Sequence, residues 1–430
     1  MHLSLCRQSS QAYLVPLLLV VASSFSISPV FGTLVAFKGN IVSLLALACI
    51  LTVSVFVSPG LIRIRLNTVS LLCGLLFVVC ALFNSLYWGL PTFVVLVYVL
   101  TALLASHQIS RETLIRLVRL LTILHLVFLF GAIIGFFYSM LGGDPLLMIE
   151  NPDGRENGLY LTTFSNTYIF GFIRPSAIYD EPGALSFFTC LTVAFRELLC
   201  MRRKVSLWLL GLGLVTGSLS HLVFVVLFML HGYLLAPDGR SVLKRFISLI
   251  LLSLSIYMFI ATFVEPLQSV VEFYSDRLVL TDGQLQGDNR SESMRDAIRY
   301  VDVRVALWGL DGNCIIRNAS CNLGHLLNYN SNPLSMLVHY GIFLSVPYYA
   351  TALFLAYLSI RRRDLMILSV LLLIMQRPFV MSYGYSLILM LYVVSLTKFC
   401  KRSHLVMVTQ DVPSNVLAGG PMKIIRRLPA

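Results

Sequence analysis

The feature that most constrains this chain is a succession of apolar runs, each close to the length that carries a helix through about 30 Å of hydrocarbon. Eight of them lie at roughly 11–29, 41–58, 69–87, 89–106, 117–141, 182–200, 246–264 and 334–360. Two further stretches, 205–236 and 365–397, are too long for one crossing. They are interrupted near their middles by Thr216-Gly217-Ser218-Leu219-Ser220-His221 and by Gln376-Arg377-Pro378. Gly and Pro punctuate helices, so each stretch is expected to form a hairpin of two short helices. Composition agrees: 57% of the 430 residues are AVILMFWYC and 12% are charged, about half the usual charged share. Those proportions exclude a soluble enzyme, a disordered regulator and a coiled coil. The net charge of +12 is dispersed between apolar runs rather than gathered on one basic face, which argues against a nucleic-acid partner.

Lys and Arg beside span ends stay on the cytoplasmic side, and this decides the topology. With both hairpins in place, Arg63/Arg65, Arg111/Arg116/Arg119, Arg202/Arg203/Lys204, Arg240/Lys244/Arg245, Arg361/Arg362/Arg363 and Lys398/Lys401/Arg402 all fall inside. Collapsing either hairpin would put the clusters on its two flanks on opposite faces. The expected fold is therefore an all-α polytopic integral membrane protein of about 12 transmembrane helices, with both termini cytoplasmic. Its segments are five helices over 1–141, a small outer loop at 142–181, four helices over 182–264, a large outer loop at 265–332, three helices over 333–397, and a cytoplasmic tail at 398–430. Arg7, the apolar run and Ala22-Ser23-Ser24 also fit a cleaved signal peptide loosely. A polytopic chain ordinarily keeps its first span as an anchor.

The outer loops hold fifteen of the 20 acidic residues, so the polar chemistry is concentrated on one side. Structureless loops of this length are uncommon without a function. Cys314 and Cys321 are the cysteines that fall outside, seven apart. In an oxidising exterior they either close a small disulfide loop or stay as two small hydrophobes.

No phosphate-binding loop, dinucleotide fingerprint or metal-ligand spacing is present in the sequence. His125, His221 and His231 are read as facing neighbouring helices. The informative segment is Arg174-Pro-Ser-Ala-Ile-Tyr-Asp-Glu-Pro-Gly-Ala-Leu185, where the first outer loop enters a span. Pro182 suits the first helical turn and Asp180 or Glu181 the N-cap, so this helix is expected to open its free N–H groups onto the outer surface. Such a terminus beside an arginine attracts anions, and a guanidinium grips phosphate through its planar bidentate fork. Glu181 would orient Arg174 or take a proton from an incoming hydroxyl. The bland alternative is an Arg–Glu pair and a cap that only fix the loop. In the second loop, 288–304 has helical character, with Arg295 and Arg299 sharing a face at i,i+4 beside Arg304. Like charges there repel unless an anion, or Glu292, Asp296 and Asp302, sits between them.

These residues carry a resemblance. Arg174 through Ala184 resembles the Arg-x-x-Gly-x-x-x-Glu-Pro-x-x-x-Ala element of the O-antigen polymerase (Wzy) family, whose relatives include the O-antigen ligases. Thr216-Gly-Ser-Leu-Ser220 stands where the family has a Ser/Arg turn between two short helices. Asn289-Arg290-Ser-Glu-Ser-Met294, followed by Trp308-Gly309-Leu-Asp-Gly312, is similar to the Gly-Arg-x-x-x-Trp…Phe-Gly-x-Gly run of the large outer loop. Ser331-Asn332-Pro-Leu-Ser-Met-Leu-Val-His-Tyr340-Gly341 resembles the family's His-Asn-x-x-Leu-x-x-Leu-x-x-x-Gly return into the membrane. The likeness covers about 160–400. It departs at Leu219, where the turn Arg belongs, at Ala177, where the element has Gly, and at Ser331, where it has His. The nearest imidazole upstream of Ser331 is His325.

The resemblance implies a metal-independent glycosyltransferase in a bacterial inner membrane, without a cofactor. Its partners would be undecaprenyl-pyrophosphate-linked donor and acceptor glycans, the lipid bilayer and a chain-length regulator. Arg174, Arg290 and Arg377, with Arg295 and Arg299, are the substrate-binding candidates; Glu181, Asp180 and His325 are the catalytic ones. Two rivals stay open: an O-antigen ligase using a lipid A-core acceptor, and a transporter or lipid flippase. The last predicts buried mid-span charges and inverted repeats. Reporter fusions check the layout. Fusions near 170 and 320 should report as exterior and those near 111, 203 and 362 as cytoplasmic, and a cytoplasmic signal at 170 would overturn the topology.

Overall fold

The computed structural model describes residues 110–150, 156–166, 172–235, 301–309, 332–376 and 383–407, with short pieces between 13 and 28, at 168–169, between 280 and 285 and between 294 and 298. The expected spans at 41–58, 69–87, 89–106 and 246–264 lie outside these residues, as do Cys314 and Cys321. What is described is mostly helical.

Helix α1, Arg111–Met140, is long and apolar enough to cross a membrane; at 30 residues it is about 45 Å long. Ser110 caps it by accepting the Thr113 N–H at 3.2 Å. It stops where Gly142 takes a positive φ of 86°, with the Gly142 and Gly143 N–H groups returning to Ser139 O and Tyr138 O. Helix α2, Pro182–Leu198, follows the first loop and is buried from Pro182 to Arg196. Helix α3, Arg203–Gly213, runs into a 3-10 turn, Leu214–Thr216, and then Gly217, whose φ of +56° no side chain favours. Helix α4, Leu219–Leu235, comes next. The break expected within 216–221 is thus observed at Thr216–Gly217.

Contacts fix the direction of return. Arg203, at the start of α3, donates to Phe228 O at 3.0 Å in the second half of α4, while His221 near the start of α4 meets Leu210 O at 2.8 Å. The two helices therefore run antiparallel. In the second loop, Asp302 caps helix α5, Val303–Trp308, through the Val305 N–H at 2.7 Å. The helical character expected over 288–304 is consequently interrupted just before α5, and Asp302 serves the helix start.

Helix α6, Ser335–Arg362, is broken at Gly341 (φ 69°). Asn332 holds its entrance, accepting Leu334 N–H on Oδ1 at 2.8 Å and the Ser335 hydroxyl on its carbonyl. A tight turn at Arg363 (φ 50°) leads into helix α7, Leu365–Gln376. Helix α8, Tyr383–Met407, closes the described chain, and Arg362 reaches its Leu396 O at 3.5 Å. That contact sets the middle of α8 beside the end of α6.

The interior is held by edge-on and tilted aromatic contacts and by hydroxyl, imidazole and guanidinium groups paired between helices. Phe187 and Phe188 of α2 meet Tyr385 of α8, and Phe195 meets Tyr392. His221 packs on Gly213 and bonds Cys190 Sγ at 3.3 Å. Arg196, 3% exposed, donates to Thr122 of α1 (3.0 Å), Ser206 of α3 (3.2 Å) and Arg202 O (2.9 Å). Between helices such bonds contribute about 0.6–2 kcal/mol each.

The loop at 142–181 is not structureless. Strands β1 (Leu147–Glu150), β2 (Glu156–Tyr160) and β3 (Thr163–Ser165) form an antiparallel meander in the order β1-β2-β3. A two-strand ribbon of β4 (Tyr168–Ile169) and β5 (Phe172–Ile173) follows. The meander lies against α1: Thr162 Oγ1 donates to Gly131 O at 2.6 Å, and a Cβ at Gly135 would collide with Thr163 Cγ2 and Tyr160 O. Gly135 is what lets a strand approach the helix so closely. We expect Gly135→Val to lower the detergent-solubilised melting temperature by the equivalent of about 1–3 kcal/mol and to expose 142–181 to proteolysis. An unchanged digestion pattern would contradict this packing.

Candidate functional site

The segment from Arg174 to Glu181 is built by hydrogen bonds that start on β2 and β3. Ser165 donates its hydroxyl to Arg174 O at 2.8 Å, and the next residue, Asn166, donates to Asp180 O at 2.9 Å. Asn157 adds a second bond to Asp180 O at 3.3 Å. One pair of adjacent loop residues thus pins both ends of the element. Between them, Phe164 N–H bonds Ala177 O at 2.8 Å, and Ala177 N–H bonds Thr163 Oγ1 at 2.8 Å. The Ser176 hydroxyl reaches Phe164 O and Tyr179 O, each at 2.8 Å.

Two consequences follow for the side chains. Ala177 has a φ of +55°, the left-handed region that glycine enters freely and alanine at a cost of about 1–2 kcal/mol. The backbone here is therefore glycine-like, although the residue is Ala. Tyr179, fully buried, stacks on Phe188 with ring centroids 5.2 Å apart and meets Phe128 edge-on. Its hydroxyl lies 3.3 Å from His125 Nε2. His125 Nδ1 faces Leu121 O at 2.8 Å, so the ring donates there and accepts the phenol proton at Nε2. Burial pushes the Tyr179 phenol above its ordinary range and keeps it protonated. This anchor immediately precedes Asp180 and Glu181.

Arg174 is half-buried and spans from the loop to the α3–α4 hairpin. Its Nε donates to Thr216 O at 3.2 Å and its Nη2 to Gly217 O at 3.0 Å. The carbonyl end of a helix carries partial negative charge, so a guanidinium is stabilised there by up to about 2 kcal/mol. Beside this turn the Ser218 and Ser220 hydroxyls bond one another at 2.8 Å. Glu181 is the N-cap residue of α2 by position, with extended backbone (φ −152°, ψ 155°), but its side chain makes no capping bond. Pro182, Gly183 and Ala184 are buried. The expectation that this helix start opens directly onto the outer surface is thereby corrected, because the loop folds over it.

Of the candidates read from the sequence, Arg174, Asp180 and Glu181 fall on this one pinned segment. Arg290, Arg295, Arg299, His325 and Arg377 lie outside the described residues. The sequence reading missed Ser165, Asn166 and Asn157, which position the segment, and the Thr216–Gly217 carbonyls, which receive Arg174. Side-chain amides clustered before an Arg-Pro were the available signal, but amides are ordinary in loops. No protein-family model matches the chain, and no curated protein or solved structure is significantly similar to it.

The strained position supplies a check on the geometry. For Ala177→Gly, relief of the left-handed strain offsets the loss of one buried methyl, about 0.8 kcal/mol. The melting temperature should therefore stay within a few degrees, whereas Ala177→Val should destabilise by more than about 2 kcal/mol. Equal effects of Gly and Val would show that the left-handed geometry is absent.

Proposed function

We propose that the chain is a polytopic inner-membrane glycosyltransferase of the O-antigen polymerase type, with about 12 transmembrane helices. It would transfer a growing glycan from undecaprenyl pyrophosphate to the non-reducing end of a lipid-linked repeat unit on the periplasmic face. The observation that carries this reading is Arg174. A cation on the outer loop is fixed against a helical hairpin, on the same pinned segment as Asp180 and Glu181.

In this reading the acceptor hydroxyl oxygen attacks the anomeric carbon of the donor. The bond from that carbon to the pyrophosphate oxygen breaks, and undecaprenyl pyrophosphate leaves with the electron pair. Glu181 takes the hydroxyl proton, with Asp180 beside it. Arg174, joined by Arg290 and Arg377 from the other outer segments, neutralises charge developing on the leaving group, the position where fixed charge lowers a barrier most. Two of the Arg174 donors hold the hairpin turn, so the same side chain fixes the shape of the site and supplies its charge. A lipid-linked substrate suits a helical bundle because it can enter sideways from the bilayer.

Arg174→Ala should reduce elongation of a lipid-linked repeat by reconstituted protein by a factor of about 100 or more. Arg174→Lys should recover little, because one ammonium cannot replace the fork that meets two carbonyls. Elongation by Arg174→Ala at the parental rate would sink the assignment. A deletion strain separates polymerase from ligase: loss of a polymerase leaves cores bearing one repeat, and loss of a ligase leaves none.

A further inference from the structure

Helix α6 is two arms rather than one rod. Gly341 has φ 69° and ψ 176°, a combination that only glycine adopts readily and that lies far from helical values. Residues 335–340 therefore form a short first arm, and the second runs from Ile342 to Arg362. Their relative direction is fixed by one bond, from the Tyr349 hydroxyl to Pro333 O at 3.0 Å. Along a straight helix those two residues would stand about 24 Å apart, beyond the reach of any side chain. The chain consequently doubles back at Gly341. Pro333 and Tyr349 lie eight residues to either side of it, so two arms each about 12 Å long bring them to one level.

That level is inside the bundle. Tyr348, fully buried, donates to Ile374 O of α7 at 3.1 Å. The second arm exposes Ile342, Val346, Ala350, Leu353, Tyr357 and Ile360 at three- and four-residue spacing, one apolar stripe about 27 Å long that matches the height of a hydrocarbon layer. Gly341 stands at the start of this stripe and Tyr349 about 10 Å along it. Tyr349 also neighbours Val346 and Leu353 on the helix surface, at i−3 and i+4, so the first arm lies along the edge of the stripe. No Asp, Glu, Lys or Arg occurs from 331 to 360. Backbone that leaves a helix at membrane depth needs partners close by, and they are present. Ser345 shares its hydroxyl proton between Gly341 O at 2.7 Å and Ile342 O at 3.2 Å. Tyr349 covers Pro333 O, while the fully buried Asn332 takes the Leu334 N–H and the Ser335 hydroxyl. Over 332–338, Pro333, Leu334 and Leu337 are half-buried and the remaining residues buried.

We infer that residues 332–341 form a re-entrant arm, which dips about 10 Å into the membrane beside α6 and returns to the surface at Gly341 before the crossing begins. Its partner is the acyl region of the leaflet on the large-loop side, met by Pro333, Leu334 and Leu337 where they continue the α6 stripe. The crossing expected over 334–360 thus starts at Ile342, and the large loop ends within the membrane rather than above it. The arm rests on the membrane-spanning part of the proposed function and is independent of glycan transfer.

The test uses the full chain in nanodiscs, with lipids brominated near the headgroup or near the chain end. Of the three tryptophans, each is replaced by Phe, and one probe is introduced at a time: Leu334→Trp, Ile342→Trp or Leu353→Trp. The quenching ratio should place Leu334→Trp roughly 8–10 Å deeper than Ile342→Trp, with Leu353→Trp deepest. A straight helix puts Leu334→Trp about 12 Å shallower than Ile342→Trp, and that order would overturn the arm. An unquenched Leu353→Trp would overturn the membrane-spanning reading and the arm with it, so the two failures are told apart. If the tryptophan variants do not fold, the parent is footprinted in nanodiscs by hydroxyl radicals generated in bulk water. Met336, 4% exposed, should oxidise several-fold less than Met148, 47% exposed in the 142–181 loop. Equal oxidation of the two overturns the proposal.

Discussion

The interior position of α2 is the constraint on which the remaining structure depends. Buried from Pro182 to Arg196, this helix touches α1, α3, α4, α7 and α8. A helix enclosed on every side must present apolar side chains all round, and whatever polar groups it carries must find partners inside. Thr189 returns its hydroxyl to Leu185 O, Thr192 meets His125, Cys190 meets His221, and Arg196 engages three groups at one end. Removing any partner would leave a polar atom stranded. The bundle is thus specified by pairing as well as by fit.

The same helix connects the two ends of the molecule. At its start the 142–181 loop folds over Pro182 and anchors through Tyr179, which stacks on Phe188 and bonds His125 of α1. At its end the Arg196 clamp fixes α1 and α3. Arg174 adds a third tie, from the same loop to the α3–α4 turn. A site composed of a loop and a hairpin turn would ordinarily be soft. Here its backbone carbonyls are taken up by Ser165, Asn166, Asn157 and Arg174, which fixes the segment in place.

Much of the helical layout was legible because few side chains are compatible with a long apolar run. The break at Thr216–Gly217 followed from a glycine and hydroxyl cluster, and the end of α7 at Gln376 from the Arg-Pro behind it. The β-meander was not legible. Its strands are three to five residues long, shorter than any period can establish, and their order depends on a helix at Gly131 and Gly135. For the site, the residue types of Arg174, Asp180 and Glu181 drew attention by their chemistry. Their partners, two backbone carbonyls and three loop amides and hydroxyls, carry no distinguishing sequence signal.

The sequence by itself determined that the chain is built of apolar helices with its acids concentrated in two loops. Composition and charge spacing depend only on covalent order, and desolvation acts on each run separately. Tertiary structure alone decided that Arg174 ends on Thr216 and Gly217, that Ala177 adopts a left-handed turn, and that Arg196 lies in the interior. Each of those outcomes joins residues far apart in the chain, or forces a backbone angle that the residue would not choose. Only the surrounding packing supplies the compensating energy.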